Sequence, residues 1–324
     1  MKKEFAFASS PHIRDKASTQ KIMLDVLIAL LPALVAGTLI FGLRSLLVAS
    51  VSVASCMGFE ALVRALRHER QTVSDLSAAV TGLLLALTLP ASVSYVAIVL
   101  GAFFAIVVVK EIFGGLGHNL VNPALGARAL LFIFPQQLVR FGAPGAALSL
   151  GNTVDVISSA TPLHSMQMPA LPDATLLDMF LGKIGGCIGE VSALAILIGL
   201  AYLLIRRVIS WRIPVCFVGT VAVLSLIFAR GDASPIMWMS YSVLGGGLLL
   251  GAVFMATDYV TSPVSPWGQV LYAVGCGGLT VLIRYFGLYP EGVTYAILAM
   301  NFCARGIDRL CAKRQFGRVK GGRA

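Results

Sequence analysis

Charged side chains are scarce in this chain. Aspartate, glutamate, lysine and arginine make up 12% of the 324 residues, and histidine occurs only four times. An average soluble domain carries about 25% charged residues. The low share here, together with 57% hydrophobic residues and a mean hydropathy of +0.87, excludes an ordinary soluble protein. The sequence predicts an integral membrane protein without a separate soluble domain.

Closely spaced metal ligands are also missing. No two of the six cysteines form a C-x-x-C pair, and His118 has no second histidine or carboxylate at ligand spacing. The cysteines are therefore interpreted as small apolar residues, and no metal site is predicted in this chain. An iron–sulfur cluster would need ligands from a partner chain.

Apolar runs of membrane-spanning length follow one another along the chain. A bilayer core requires roughly 20 apolar residues per helix, and a polar N-terminal segment without a cleavage site leads directly into the first run. The predicted spans are residues 22–41, 45–63, 76–89, 94–113, 124–134, 184–205, 213–229, 237–257, 268–286 and 292–304. The shortest of them need protein neighbours around their ends. The predicted fold class is an all-α membrane protein with about ten transmembrane helices.

Lysine and arginine are distributed unevenly between the two predicted sides. With the N-terminus placed inside, the outward-facing basic residues are Arg44, Arg140, Lys183, Arg230 and Arg284, out of 25 in the chain. Because basic residues gather on the cytoplasmic side, we expect cytoplasmic termini and an external loop at 136–183. The net charge of +10 favours anionic membrane lipid as a partner and no nucleic acid.

The spans divide into two groups of five. We predict a cytoplasmic segment at 1–21, a five-helix repeat at 22–135, the external loop at 136–183, a second repeat at 184–304 and a basic cytoplasmic tail at 305–324. Three leucines at 83–85 and three at 248–250 occupy corresponding places in the two halves. An odd number of spans per repeat gives inverted topology, with ligand sites near the repeat interface. Alternatively, the glycines beside these leucines only allow close helix packing.

Two polar segments interrupt the spans. Asn119 and Asn122 lie just before Pro123 and can both donate and accept hydrogen bonds, as the edge of a flavin ring requires, or can simply cap a turn. Asp258 lies in a segment of hydroxyl and helix-breaking residues, where it is a candidate for ion coupling or a helix cap. Asp25, Glu60 and Glu190 are interpreted as ion-paired residues near span ends.

A run of small hydroxyl residues occurs in the external loop. It reads Ser158-Ser159-Ala160-Thr161 and is followed by Pro162. The pattern alone is common in turns, and a modified hydroxyl is the alternative interpretation.

Several of these segments together resemble one family. Residues 10–14, 22–32, 114–128, 158–163 and 255–258 are similar to those of the RnfD family, whose members belong to the Rnf electron-transport complex. The chain is also similar to the related NqrB family of the sodium-pumping NADH:quinone oxidoreductase, which has a longer N-terminal region. The resemblance implies FMN joined through its phosphate to Thr161 by a flavin transferase. Ser158, Ser159, Ala160, Asn119, Asn122 and Arg128 are the implied flavin-binding residues, and a second, noncovalent flavin such as riboflavin is implied as an option.

The resemblance also implies a function. It indicates a membrane component of a redox-driven ion translocase in the bacterial inner membrane, which relays electrons alongside iron–sulfur and flavin subunits while Na⁺ or H⁺ crosses. Two alternatives from other classes stay open: a secondary transporter with inverted repeats and no flavin, using Asp258 as its ion site, and a flavin-free membrane scaffold for redox partners.

Overall fold

Helices form the whole regular structure of the described chain. A computed structural model describes residues 18–134, 138, 141, 161–167, 171–230, 234–287 and 291–311. The helices are α1 (Thr19–Phe41), α2 (Leu43–Leu66), α3 (Ser77–Leu87), α4 (Tyr95–Phe103), α5 (Pro123–Leu131), α6 (Pro162–Gln167), α7 (Leu176–Leu181), α8 (Ala193–Ile205), α9 (Arg212–Ile227), α10 (Pro235–Leu244), α11 (Leu248–Leu250), α12 (Pro266–Phe286) and α13 (Val293–Cys311). Short π-helical stretches continue α4 over Phe104–Glu111 and α11 over Gly251–Met255.

Three of these helices are long and apolar enough to cross a membrane. They are α1, α2 and α12, and the bent pair of α10 with Leu248–Met255 makes a fourth if it is counted as one span. Large apolar side chains such as Leu39 and Leu66 are more than two thirds exposed. In lipid these faces meet hydrocarbon, whereas in water they would be an aggregation surface. The structure confirms the prediction of an all-α, multi-pass membrane protein.

The turn between α1 and α2 follows from one glycine. Ser18 caps the start of α1 by accepting a hydrogen bond from the Lys21 N–H, and Gly42 closes its end by donating to the Thr38 carbonyl. Gly42 has φ of 85°, which a residue with a side chain rarely adopts. Gly42 therefore lets two apolar helices follow each other without a loop.

Helix α3 is the centre of the first half of the chain. All of its residues are buried, and its length is only half of a full crossing. The N–H groups of Ile188 and Gly189 donate to the carbonyls of Leu89 and Leu87 at 3.0 and 2.8 Å. The chain just before α8 thus satisfies the free end of α3, as the short predicted spans require.

Two predicted spans are not continuous helices. The span predicted at 184–205 is helical only from Ala193, because the backbone before it bonds to the end of α3 instead. The span predicted at 237–257 breaks between α10 and α11, which are bent by 60°. Gly246, in this break, has φ of 65°. Hydropathy does not register such breaks, because the residues on both sides remain apolar.

Candidate functional site

Three of the predicted site residues share one cavity. A cavity with about 770 Å³ of space, including its open mouth, is bounded by α1, α3, α8, the start of α5 and the segment after α11. Asn119, Asn122 and Asp258 all line it, although Asp258 is more than 130 residues away in the chain from the asparagines. We call this space the asparagine cavity, and its mostly apolar lining with a few polar groups is typical of small-molecule sites.

The two asparagines differ in how their amides are used. Asn122 caps α5, because its Oδ1 accepts from the N–H groups of Ala124 and Leu125, while its Nδ2 donates to the Met255 carbonyl at 3.4 Å. Asn119 donates to the Val121 carbonyl at 3.0 Å. Within the described chain, no donor reaches the Asn119 amide oxygen. Asn122 therefore fits the capping interpretation. The amide oxygen of Asn119 remains free to accept a hydrogen bond from a ligand in the cavity.

A buried ion pair forms part of the cavity wall. The Lys110 ammonium donates to Glu60 Oε1 at 2.8 Å and to Ser77 Oγ at 2.7 Å, and Glu60 has no exposed surface. An ammonium group has three N–H donors, so one remains beyond these two bonds. The structure confirms that Glu60 is ion-paired. The pair is buried inside the protein and does not lie, as was expected, at the membrane–water interface near a span end.

Asp258 is held in a turn at the cavity edge. Its carboxylate accepts hydrogen bonds from the Val260 N–H at 3.4 Å and the Thr261 hydroxyl at 3.1 Å. Desolvation by the surrounding protein raises the pKa of Asp258 above its ordinary value, while these two bonds oppose the rise. The carboxylate thus stabilises a local turn and also faces a space that an ion could enter.

Thr161 lies at a second, smaller cavity. It directly precedes α6, and its carbonyl accepts a hydrogen bond from the His164 N–H at 2.9 Å. The cavity has about 260 Å³ of space, including its open mouth, and Gly186, Glu190, Gly246 and Glu291 line it together with Thr161. Ser158, Ser159 and Ala160 lie outside the described residues.

Arg128 belongs with the Thr161 cavity rather than with the asparagines. Its guanidinium forms a buried ion pair with Glu291, which lines that cavity, and lies 3.6 Å from Cys187 Sγ. Glu190 accepts a hydrogen bond from the Cys187 N–H at 3.1 Å, while its second carboxylate oxygen has no partner. The resemblance implies one set of flavin-binding residues that contains Thr161, both asparagines and Arg128, and in the structure Arg128 lies beside the Thr161 cavity and does not line the asparagine cavity.

The acidic cluster beside Thr161 already contains a cation. Cys187, Glu190 and Glu291 bring three potential ligand atoms within 4.8 Å of one another. Arg128 contacts two of the three groups, so its guanidinium supplies positive charge where a metal ion would bind. Glu190 was predicted to be ion-paired, yet no basic group forms a salt bridge with it in the described residues. Asp25 does pair as predicted, with Arg206 at 3.2 Å.

Comparison with known proteins identifies the family. A model of the NQR2, RnfD, RnfE family matches residues 6–317. The chain belongs to that family. It is 44% identical over 316 residues to the D subunit of the Na⁺-translocating ferredoxin:NAD⁺ oxidoreductase complex of Acetobacterium woodii, covering 97% of this chain and 95% of the relative. It is 38% identical over 323 residues to the D subunit of the proton-translocating ferredoxin:NAD⁺ oxidoreductase complex of Clostridium ljungdahlii, covering 97% and 96%. It is also 38% identical to the D subunit of the ion-translocating oxidoreductase complex of Stutzerimonas stutzeri, covering 94% and 93%.

Lys110, which lines the asparagine cavity, and Glu291, which lines the Thr161 cavity, were not predicted as site residues. Lys110 and Glu60 pair across 50 positions, and Arg128 and Glu291 across 163. Such long separations leave no periodic signal in a single sequence. One repeated motif in the sequence does mark two of the partners of buried cations. Ser-x-x-x-x-Gly-Leu-Leu-Leu begins at both Ser77 and Ser242. Lys110 donates to the Ser77 hydroxyl, and Arg284 donates to the Ser242 carbonyl.

Proposed function

We propose that this chain is the membrane-embedded D subunit of an Rnf-type complex. In this role it takes part in electron transfer between ferredoxin and NAD⁺ that is coupled to ion transport. Identity of 44% over nearly the whole chain to a relative named as such a component carries the proposal. The partners would be the other Rnf subunits, including those with iron–sulfur centres and flavins.

We infer that two inverted five-helix repeats build the fold. α1 to α5 would form the first repeat, and α8, α9, the bent α10–α11 pair, α12 and α13 the second. The repeated Ser-x-x-x-x-Gly-Leu-Leu-Leu motif supports this, since α3 and Leu248–Met255 are both fully buried. The matching contacts Lys110 with Ser77 and Arg284 with Ser242 also support it. An odd number of crossings per repeat would orient the halves oppositely.

The end of the bundle that holds the asparagine cavity is proposed to face the cytoplasm. Asp25 near the start of α1 pairs with Arg206 just after α8, and Arg64 near the end of α2 pairs with Glu111 after α4. These contacts gather basic residues at one end of the bundle, and the positive-inside rule assigns that end to the cytoplasmic face of the bacterial inner membrane. Both termini would then lie inside, and Thr161 would face outward.

Thr161 is proposed to carry FMN through a phosphoester bond made by a separate flavin transferase. The position of Thr161, a partly buried residue beside a cavity, supports the assignment. The attached flavin would supply one-electron and two-electron redox chemistry. Arg128 would keep Glu291 neutralised beside it, and the phosphoester bond would retain the flavin when free flavin is scarce.

The asparagine cavity is proposed to hold a second, noncovalent flavin such as riboflavin. Acid denaturation of the purified complex should release this flavin, while FMN stays on the polypeptide. Asn119→Leu should weaken its retention about tenfold, because a buried ligand group would lose its hydrogen-bond partner. Gln269→Leu is the matched amide control, since Gln269 does not line the cavity. Equal release from both variants would argue against this site.

Asp258 is proposed to take part in ion coupling. Inverted membrane vesicles that oxidise reduced ferredoxin with NAD⁺ should take up Na⁺ or H⁺, and removing this chain should abolish both activities. Asp258→Asn should leave electron transfer running while ion uptake falls strongly, because the neutral amide cannot attract a cation. Glu69→Gln, which removes an exposed carboxylate, is the control. Normal ion uptake by Asp258→Asn would remove this residue from the mechanism.

The break between α10 and α11 favours a second candidate function. Helices broken inside the membrane and inverted repeats are typical of secondary transporters, which need no flavin. A purified chain with no covalent flavin, and with ion transport that does not depend on ferredoxin, would support the transporter.

A further inference from the structure

Arg284 is a buried cation that has no carboxylate partner among the residues that the structure describes. Arg284 lies near the C-terminal end of α12, and only 8% of the residue's surface is exposed. The guanidinium donates to the carbonyls of Ser242 at 2.6 Å and Gly245 at 3.1 Å, and its Nε has no partner. By contrast, the buried cations Lys110 and Arg128 each form a salt bridge with a glutamate.

The carbonyl partners of Arg284 offset only part of its charge. Ser242 and Gly245 lie at the C-terminal end of α10, where the helix dipole leaves roughly half a negative charge. Glu190 and Glu291 interact electrostatically with Arg284, but Glu291 is bound to Arg128 and neither lies within salt-bridge distance of Arg284 in the described residues. A desolvated cation is costly unless an anion accompanies it.

Arg284 faces a third cavity, which lies next to the Thr161 cavity. It is a shallow pocket between α6, α10 and α12 with about 320 Å³ of space, including its open mouth, and Trp238, Arg284 and Tyr285 line its wall. Arg230 adds a second cation, stacked 4.2 Å from the centre of the Tyr285 ring. Leu163 lines both this cavity and the Thr161 cavity. None of the lining residues described is acidic.

We propose that the ring of the flavin attached at Thr161 lies against the mouth of this cavity, and that Arg284 balances the negative charge of the reduced ring. The inference rests on the proposed function. Two electrons, from the reduced ferredoxin or NADH that the complex oxidises, and one proton convert an oxidised flavin into a reduced form deprotonated at N1. That form carries one negative charge across N1 and the C2 carbonyl, which a planar guanidinium can bind with two donors. The aromatic side chains provide flat apolar contact for the rings.

The test is a redox titration of the covalent flavin in the purified complex. In Arg284→Gln we expect the ratio of reduced to oxidised flavin at a fixed potential to fall about tenfold, because a charge-assisted hydrogen bond to the reduced ring is lost. Arg284→Lys, which retains the charge, should recover most of that ratio. Arg305→Gln, a change at an exposed arginine of α13, is the control and should match the unaltered protein.

Flavin fluorescence on a denaturing gel distinguishes a failure of the proposed covalent flavin from a failure of the role inferred for Arg284. A dark band from the unaltered protein refutes the proposed covalent flavin itself. A fluorescent Arg284→Gln band with an unchanged titration overturns this inference and leaves Arg284 as a cap for α10. If Arg284→Gln does not accumulate, Arg230→Gln is titrated instead. A lowered ratio then supports the inference, and an unchanged ratio overturns it.

Discussion

Thr161→Ala should remove all flavin fluorescence from the denatured chain. A phosphoester bond needs a hydroxyl oxygen, and alanine has none. Thr161 is only partly buried and precedes α6 beside its cavity, so the loss of its hydroxyl should not disturb helix packing. The measurement is in-gel fluorescence of the chain purified from cells that contain the flavin transferase. Ferredoxin-dependent NAD⁺ reduction by membranes should be lost together with the fluorescence.

Ser165→Ala is the matched control for this experiment. Ser165 is another hydroxyl residue of intermediate exposure on α6, one turn beyond Thr161, and does not line the Thr161 cavity. Its band should fluoresce as strongly as that of the unaltered chain. A Thr161→Ala band that keeps its fluorescence would show that the flavin is attached to another residue.

Lys110→Met should destabilise the protein by about 3–5 kcal/mol, because it leaves Glu60 buried without its cation. Glu60 has no exposed surface and Lys110 only 2%, so water cannot replace the lost partner. The measurement is the midpoint of thermal unfolding of the detergent-solubilised chain. The paired change Lys110→Met with Glu60→Leu should recover most of the loss, because both buried charges are then removed.

The ion pair between Arg206 and Asp25 provides the comparison. The Arg206 side chain is 55% exposed, so Arg206→Met should change the unfolding midpoint little. A Lys110→Met variant as stable as the unaltered protein would contradict a stabilising role for this buried ion pair.

The sequence predicted the helices whose apolar residues form one uninterrupted run. The predicted limits of the spans that became α1, α2 and α12 lie within three residues of the observed ones, because lipid exposure along a whole helix produces a continuous hydrophobic signal. The irregular chain before α8 was missed because its N–H groups bond to Leu87 and Leu89, about 100 residues earlier. Hydropathy reports the polarity of side chains and carries no information about such backbone pairing.

The candidate sites were predictable where local sequence is unusual. Asn119, Asn122 and Asp258 interrupt apolar runs, so each was recognised, and the structure brings all three to one cavity. Arg284 was counted only as an outward-facing charge, since nothing near it in the sequence shows that it lacks a partner. Whether a buried charge is neutralised is a property of the packed structure, because it depends on residues that are distant in the chain.

The most direct measurement is a peptide map of the chain in the active complex. Cleavage after Arg140 and Lys183 releases a peptide of residues 141–183, which contains Thr161. We predict that this peptide carries the added mass of FMN less one water, with fragmentation placing the phosphate on Thr161. An unmodified peptide from a complex that still transfers electrons would contradict the account.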